Sequence, residues 1–215
     1  MVAAGGLPLE AAVRLVRRRG ALMQEAVPEG EGAMAAVLGS DADTIARVCA
    51  ETEGVVAPAN FNSPPQTVIA GRRSSVSAAG EALLKAGAKR VVPLDVSAPF
   101  HCALMAPAMD KLAPELAAAP FRDLRVPVIA NVDARPYTKA ADARERLRAQ
   151  VCAPVRWVDC VGALVAAGAK LELEVGPGKV LSGLAAKIDR ALGRANVEKL
   201  EDLDGALARA AELAR

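Results

Sequence analysis

Histidine occurs once in this 215-residue chain, at His101, and aromatic residues make up only 2% of it. The core must therefore be built from Ala, Val and Leu. There is no aromatic-plus-basic patch of the kind that stacks single-stranded nucleic acid. Charge of either sign is not in excess: the net value is +2, which leaves no electrostatic case for nucleic acid or an anionic membrane. Cys49, Cys102, Cys152 and Cys160 are scattered, with no Cys-x-x-Cys among them. With a single histidine, no zinc site is expected, and the thiols read as free in a reducing compartment. No apolar run approaches the ~18 residues of a membrane span. The start of the chain lacks the signal-peptide order of basic, apolar and cleavage regions. The expected compartment is cytoplasmic, with no metal, membrane or nucleic-acid partner.

What is present is a globular balance, 53% hydrophobic and 24% charged, enough for one large domain or two modest ones. Val2 to Ala4 read as a helix tail stopped by Gly5-Gly6. Pro8 suits the first turn of a new helix. That helix carries Ala12, Leu15, Val16, Leu22 and Met23 on one broad face. Arg14, Arg17, Arg18 and Arg19 fall within it and cannot all point one way. Val27-Pro-Glu-Gly-Glu-Gly32 is a linker by composition. After it come a strand (33–38), a capped helix (45–52), two strands (55–61 and 67–70), a helix (75–86) and a strand (90–96). This is the β-α-β-β-α-β order of a ferredoxin-like unit. Beyond position 98, helices are expected near 103–119, 142–151, 154–168 and 180–192, with strands near 127–132 and 170–175. Their alternation argues for a mainly parallel sheet covered by helices, with the ferredoxin-like unit inserted into it.

His101 lies in Asp95-Val-Ser-Ala-Pro-Phe-His101-Cys-Ala-Leu-Met105, between an expected strand and an expected helix. A general base often sits on such a turn. A surface or satisfied core histidine fits the same spacing. No Gly-x-Ser-x-Gly elbow is present to give the base a nucleophile. Gly176-Pro-Gly-Lys179 misses the phosphate-loop spacing and reads as a tight turn. Asn60-Phe-Asn-Ser-Pro-Pro-Gln66 reads either as a turn bonding its own backbone or as the polar wall of a cleft.

Seven segments taken together carry a resemblance. They are Leu15-Val-Arg-Arg-Arg-Gly-Ala-Leu-Met-Gln-Glu-Ala-Val-Pro-Glu-Gly30, Gly32-Ala-Met-Ala-Ala36, Asn60-Phe-Asn-Ser-Pro, Ala98-Pro-Phe-His-Cys-Ala-Leu-Met105, Asn131-Val-Asp, Pro154-Val-Arg-Trp157 and Glu174-Val-Gly-Pro-Gly-Lys-Val-Leu181. In this order and spacing the chain resembles the malonyl-CoA:acyl-carrier-protein transacylases of bacterial fatty-acid synthesis. The resemblance implies an α/β-hydrolase-like parallel-sheet domain (1–30 and 98–215) with an inserted ferredoxin-like subdomain (31–97). It implies transfer of malonyl from malonyl-CoA, through an acyl-serine, to the phosphopantetheine thiol of acyl carrier protein, with no cofactor beyond the thioester substrate. His101 becomes the base, oriented by the backbone carbonyl of Gln150. Arg19 becomes the anchor of the malonyl carboxylate, which a guanidinium fork meets bidentately. Met23, Asn60, Asn62 and Phe100 are implied to line the substrate site. Arg17 and Arg18 are left as solvated.

The resemblance also marks a departure. The family's serine lies in Gly-His-Ser-Leu-Gly, a few residues upstream of the part that Met1-Val-Ala-Ala-Gly matches. The expectation is that roughly the first third of such an enzyme, with the serine and the oxyanion donors, is missing here. The 215 residues alone are then expected to be inactive, because loss of a catalytic serine costs about a million-fold in turnover. A catalytically dead binding or scaffold fragment, and an acyltransferase for another carboxyacyl-CoA, are the alternatives. A sheet edge and apolar helix faces are expected to be uncovered.

Overall fold

The computed structural model describes residues 1–213. Backbone contacts divide the chain into two compact units, Met1–Trp157 and Val158–Arg215. The first opens on a helix-ending pattern. The Gly6 N–H donates to the Met1 carbonyl and the Gly5 N–H to that of Val2, while Gly5 takes φ +76°. A left-handed glycine with paired 6→1 and 5→2 bonds is how many helices stop, as the Gly5-Gly6 pair predicts. Pro8 then leads into α1 (Leu9–Glu25).

The ferredoxin-like order follows: β1 (Gly32–Leu38), α2 (Ala42–Glu51), β2 (Val56–Ser63), β3 (Gln66–Arg72), α3 (Arg73–Lys85) and β4 (Arg90–Pro93). The four strands form one antiparallel sheet in the order β2-β3-β1-β4. Local signals set the boundaries. Asp41 caps α2, its carboxylate accepting from the Thr44 N–H at 2.8 Å, a contact worth about 1 kcal/mol. The two-residue period of β1 sorts its side chains between two cores. Ala35 and Val37 pack with Ile45, Val48 and Leu83 on the helix-covered face. Met34 and Ala36 pack on the other face with Cys102, Phe100 and Leu104. The turn bearing His101 therefore rests on the open face of this sheet. Gly32 adds to the fit, since a Cβ there would collide with the ring of Pro99.

Next come α4 (Ala106–Ala118), the short antiparallel pair β5 (Val128–Ile129) and β6 (Pro136–Tyr137), and α5 (Ala140–Ala149). Leu22 and Met23 of α1, Ala108, Leu112 and Leu116 of α4, and Ala143 of α5 share one core with Met105, Tyr137 and Val151. Arg18 bridges α1 to α4 through Glu115 at 2.6 Å, so it is exposed but ion-paired rather than simply solvated. Val16 also departs from its expected face. It is 69% exposed and forms with Leu9 and Val13 a second apolar strip along α1.

The outer edge of β2 is bonded to a later segment: the Phe61 N–H donates to the Val155 carbonyl and the Val155 N–H to that of Ala59, at 2.9 and 2.8 Å. With Phe100 and Leu104 on its face and Val155 on its edge, the sheet is stitched into the first unit.

The second unit takes α6 (Trp157–Ala166) from its second residue, then β7 (Leu171–Val175), α7 (Val180–Ile188), β8 (Gly193–Val197) and α8 (Leu203–Leu213). β7 and β8 pair in parallel through α7. They are the one parallel pair of strands among the described residues, and an isolated parallel bridge joins Asn60 to Val155. A parallel partner needs a crossover, and α7 supplies it between β7 and β8. Gly176 and Gly178 both take positive φ in the turn before α7. The first N–H groups of that helix are occupied by Glu174, whose carboxylate accepts from the Leu181 and Ser182 amides at 3.0 and 2.8 Å. A tight turn, not a phosphate cradle, is what these residues build.

Candidate active site

The site is built on the turn between β4 and α4. His101 holds φ +62°, a left-handed conformation uncommon for a non-glycine residue and one that collects at functional positions. Its Nδ1 lies 3.0 Å from the backbone carbonyl oxygen of Gln150, at the C-terminal end of α5. A carbonyl can only accept, so Nδ1 carries the proton and Nε2 is left as the free, basic nitrogen. Burial pulls the His101 pKa below the ordinary value. The Gln150 carbonyl works against this, the charge of Arg19 lowers it further, and the Ala153 carbonyl adds a smaller upward pull. The imidazole is thus kept neutral near pH 7, the form in which it accepts a proton. No serine or threonine hydroxyl is hydrogen-bonded to it among the described residues.

Arg19 is half-buried on α1, and burial lowers its pKa. It has neither ion pair nor hydrogen bond among the described residues, unlike Arg14 and Arg18, which pair with Glu10 and Glu115. Arg19 and Gln150 line one cavity of about 290 Å³ whose other walls are apolar, among them Leu15, Leu112, Leu116 and Leu147. An unpaired cation facing an apolar hollow is a strong site for an anion. The structure thus brings His101, Gln150 and Arg19 together across α1, α5 and the His101 turn.

The remaining residues singled out in the sequence sit differently. Met23 is 1% exposed and packs in the core, one helical turn below Arg19. Phe100 is half-buried beside His101 and touches both neighbouring cores. Asn60 and Asn62 are half-buried on β2, whose register slips at Asn60 and again before Ser63. Such bulges re-aim side chains. Among the described residues, neither amide bonds the turn's own backbone, and neither is hydrogen-bonded to His101 or Arg19. Ser63, close by, buries a hydroxyl with no partner, which nothing in the sequence pattern signals. No group of three His, Cys, Asp or Glu able to hold a metal occurs among the described residues. No described helix is long and apolar enough to cross a membrane.

Residues 1–203 match the family described as the acyl transferase domain. The chain belongs to that family. It is 53% identical over 190 residues to the malonyl CoA-acyl carrier protein transacylase of Salmonella typhimurium, covering 87% of this chain and 62% of that protein. It is 46% identical over 210 residues to the enzyme of the same name from Bacillus subtilis, covering 96% and 66%. Among solved structures, the acyl carrier protein S-malonyltransferase of Vibrio cholerae superposes with a TM-score of 0.93 at 46% identity, over 95% of this chain and 68% of that one. The malonyl CoA-acyl carrier protein transacylase of Coxiella burnetii gives 0.94 at 41% identity, over 97% and 66%. A further match is a malonyl-transacylase in complex with a type II polyketide acyl-carrier protein, at TM-score 0.93. The chain thus spans about 62% of the length of the first curated relative it matches.

Proposed function

We propose that this chain carries the base and the carboxylate anchor of a malonyl-CoA:acyl-carrier-protein transacylase site, acting in fatty-acid biosynthesis. The observation that carries the reading is the pairing of a neutral, Nδ1-anchored His101 with an unpaired Arg19 whose charge is felt at the imidazole. In the proposed reaction Arg19 binds the free carboxylate of the malonyl group. His101 Nε2 takes the proton from the attacking hydroxyl, returns it to the leaving coenzyme A thiol, and repeats the exchange with the phosphopantetheine thiol of the carrier protein. Asn60, Asn62, Phe100 and Met23 are proposed to shape the acyl pocket, Met23 from beneath. An acetyl group would leave Arg19 unpaired and is disfavoured for that reason.

The 215 residues contain no Gly-x-Ser-x-Gly, and among the described residues no hydroxyl is hydrogen-bonded to His101. The chain by itself is therefore proposed to bind the substrate without forming an acyl-enzyme. Calorimetric titration with malonyl-CoA and acetyl-CoA tests the anchor. Malonyl-CoA is expected to bind ~10- to 100-fold more tightly, a difference abolished by Arg19→Gln. Intact-mass measurement after incubation with malonyl-CoA is expected to show no covalent adduct. Equal affinity for the two thioesters, or stoichiometric malonylation, would overturn these statements respectively.

A further inference from the structure

The Gln150 carbonyl is the acceptor at 3.0 Å from His101 Nδ1, with the Ala153 carbonyl a weaker second influence on the ring. The Gln150 carbonyl belongs to the last turn of a helix, where carbonyls have no intrahelical partner. It is thus free to accept from the imidazole, but equally free to turn towards water. The backbone holds the turn only part of the way. The Val151 N–H donates to Arg148, and the Cys152 and Ala153 N–H groups both donate to Ala149. Pro154 has no N–H to give.

The Gln150 side chain supplies what the backbone lacks. Its Nε2 donates to the carbonyls of both Ala153 and Pro154, at 2.8 and 3.2 Å. Both amide hydrogens are used, so the side chain closes over the turn that follows its own carbonyl. Oε1 is buried without a partner, so the clamp depends on the nitrogen end alone. The next residue, Val155, is bonded on both its N–H and its carbonyl to the edge of β2 at Ala59 and Phe61, on either side of Asn60. One hydrogen-bonded run therefore joins the imidazole, the Gln150 carbonyl, the Gln150 amide, the 153–154 turn and the strand that carries Asn60 and Asn62.

We propose that the Gln150 side chain is a positioning residue: by clamping the Ala153 and Pro154 carbonyls it fixes its own backbone carbonyl, and so fixes the His101 tautomer that leaves Nε2 basic. The role rests on the reading of His101 as the base. It requires two donors at this reach. A glutamate would set a carboxylate against two carbonyl oxygens, and an asparagine is one methylene too short. A methionine fills the same volume and donates nothing.

The single histidine makes the test clean, because a long-range proton–nitrogen spectrum of the imidazole contains one residue's signals. In the native chain above the His101 pKa, Nδ1 is expected to be protonated and Nε2 bare. In Gln150→Met, with an intact amide spectrum for the β1–β3 strands, the Nε2–H form is expected to become the major neutral species. Gln150→Glu is expected to lose the Nδ1–H form further. A folded Gln150→Met that keeps the native tautomer would overturn the proposal, and a purely structural role would give that result. Should Gln150→Met not fold, the native protein still decides. Of its three glutamines, Gln24, Gln66 and Gln150, the Gln150 side-chain amide is expected to exchange with solvent at least tenfold more slowly than that of Gln66. Equal exchange rates would overturn the clamp. Neither measurement uses malonyl-CoA or a nucleophile, so either can fail while the substrate reading stands, and the reverse.

Discussion

At the scale of single residues, His101 is held in a backbone conformation it would not choose alone, and its neutral form is favoured beyond that of a free imidazole. Its left-handed backbone costs on the order of 1 kcal/mol, offset by the Nδ1–H bond to Gln150 and by the packing of Phe100 and Cys102 on either side. Its pKa is lowered first by burial and then by the Arg19 charge. The linkage sign follows. Between the lowered folded value and the unfolded value of about 6.5, the unfolded chain binds more protons, so stability rises with pH through that window and is lost as pH falls. Urea denaturation from pH 5 to 8 should show this rise, and His101→Asn should abolish it. Subtracting the two curves removes the other titrating groups, including Glu172, whose carboxyl burial pushes upward and whose effect has the opposite sign. A native curve that parallels the variant's would contradict the assignment. Arg19 was legible in the sequence only through the resemblance, since nothing in the run 17–19 distinguishes the inward arginine. Gln150 was similarly hidden. The group that matters is a backbone carbonyl 49 residues away, and a carbonyl leaves no mark on residue type.

At the scale of elements, the packing of β1 against the His101 turn is the joint that matters. Pro99 fits because Gly32 has no side chain. Gly32→Ala should force the turn away from the sheet, cost about 1–3 kcal/mol by overpacking, and shift the His101 imidazole resonances. A melt and a histidine spectrum check both, and a native spectrum in the variant would refute the coupling. The β-α-β-β-α-β order could be read from the sequence because each piece carries its own stop. Asp41 caps α2, Gly87 ends α3 at φ +102°, and Pro64-Pro65 separates β2 from β3. β5 and β6 were less legible: two residues each are too few to show a period, and β6 begins with a proline. The bond between β2 and Val155 was not legible either, because edge pairing uses backbone groups that every residue has.

At the scale of the whole molecule, apolar surface is left open. Leu9, Val13 and Val16 are 66%, 58% and 69% exposed, and their spacing puts them on one strip of α1. In the second unit, Val175 and Val180 are about as exposed, at 72% and 69%. Patches of this kind mark contact surfaces or association liabilities. Light scattering is expected to give a mass above the 22.1 kDa of one chain at micromolar concentration, and Val13→Lys with Val16→Glu should lower it. A monodisperse monomer would contradict this. The central claim, that Arg19 and His101 serve one substrate, is tested most directly by the titration of the lone imidazole in the presence of each thioester. If the proposed anchor holds, malonyl-CoA would place a carboxylate on Arg19 and offset the charge that adds to the effect of burial on His101, raising the imidazole midpoint above that with acetyl-CoA. Binding of malonyl-CoA with no change in the midpoint, or an equal rise with acetyl-CoA, would show that the two residues do not form one site.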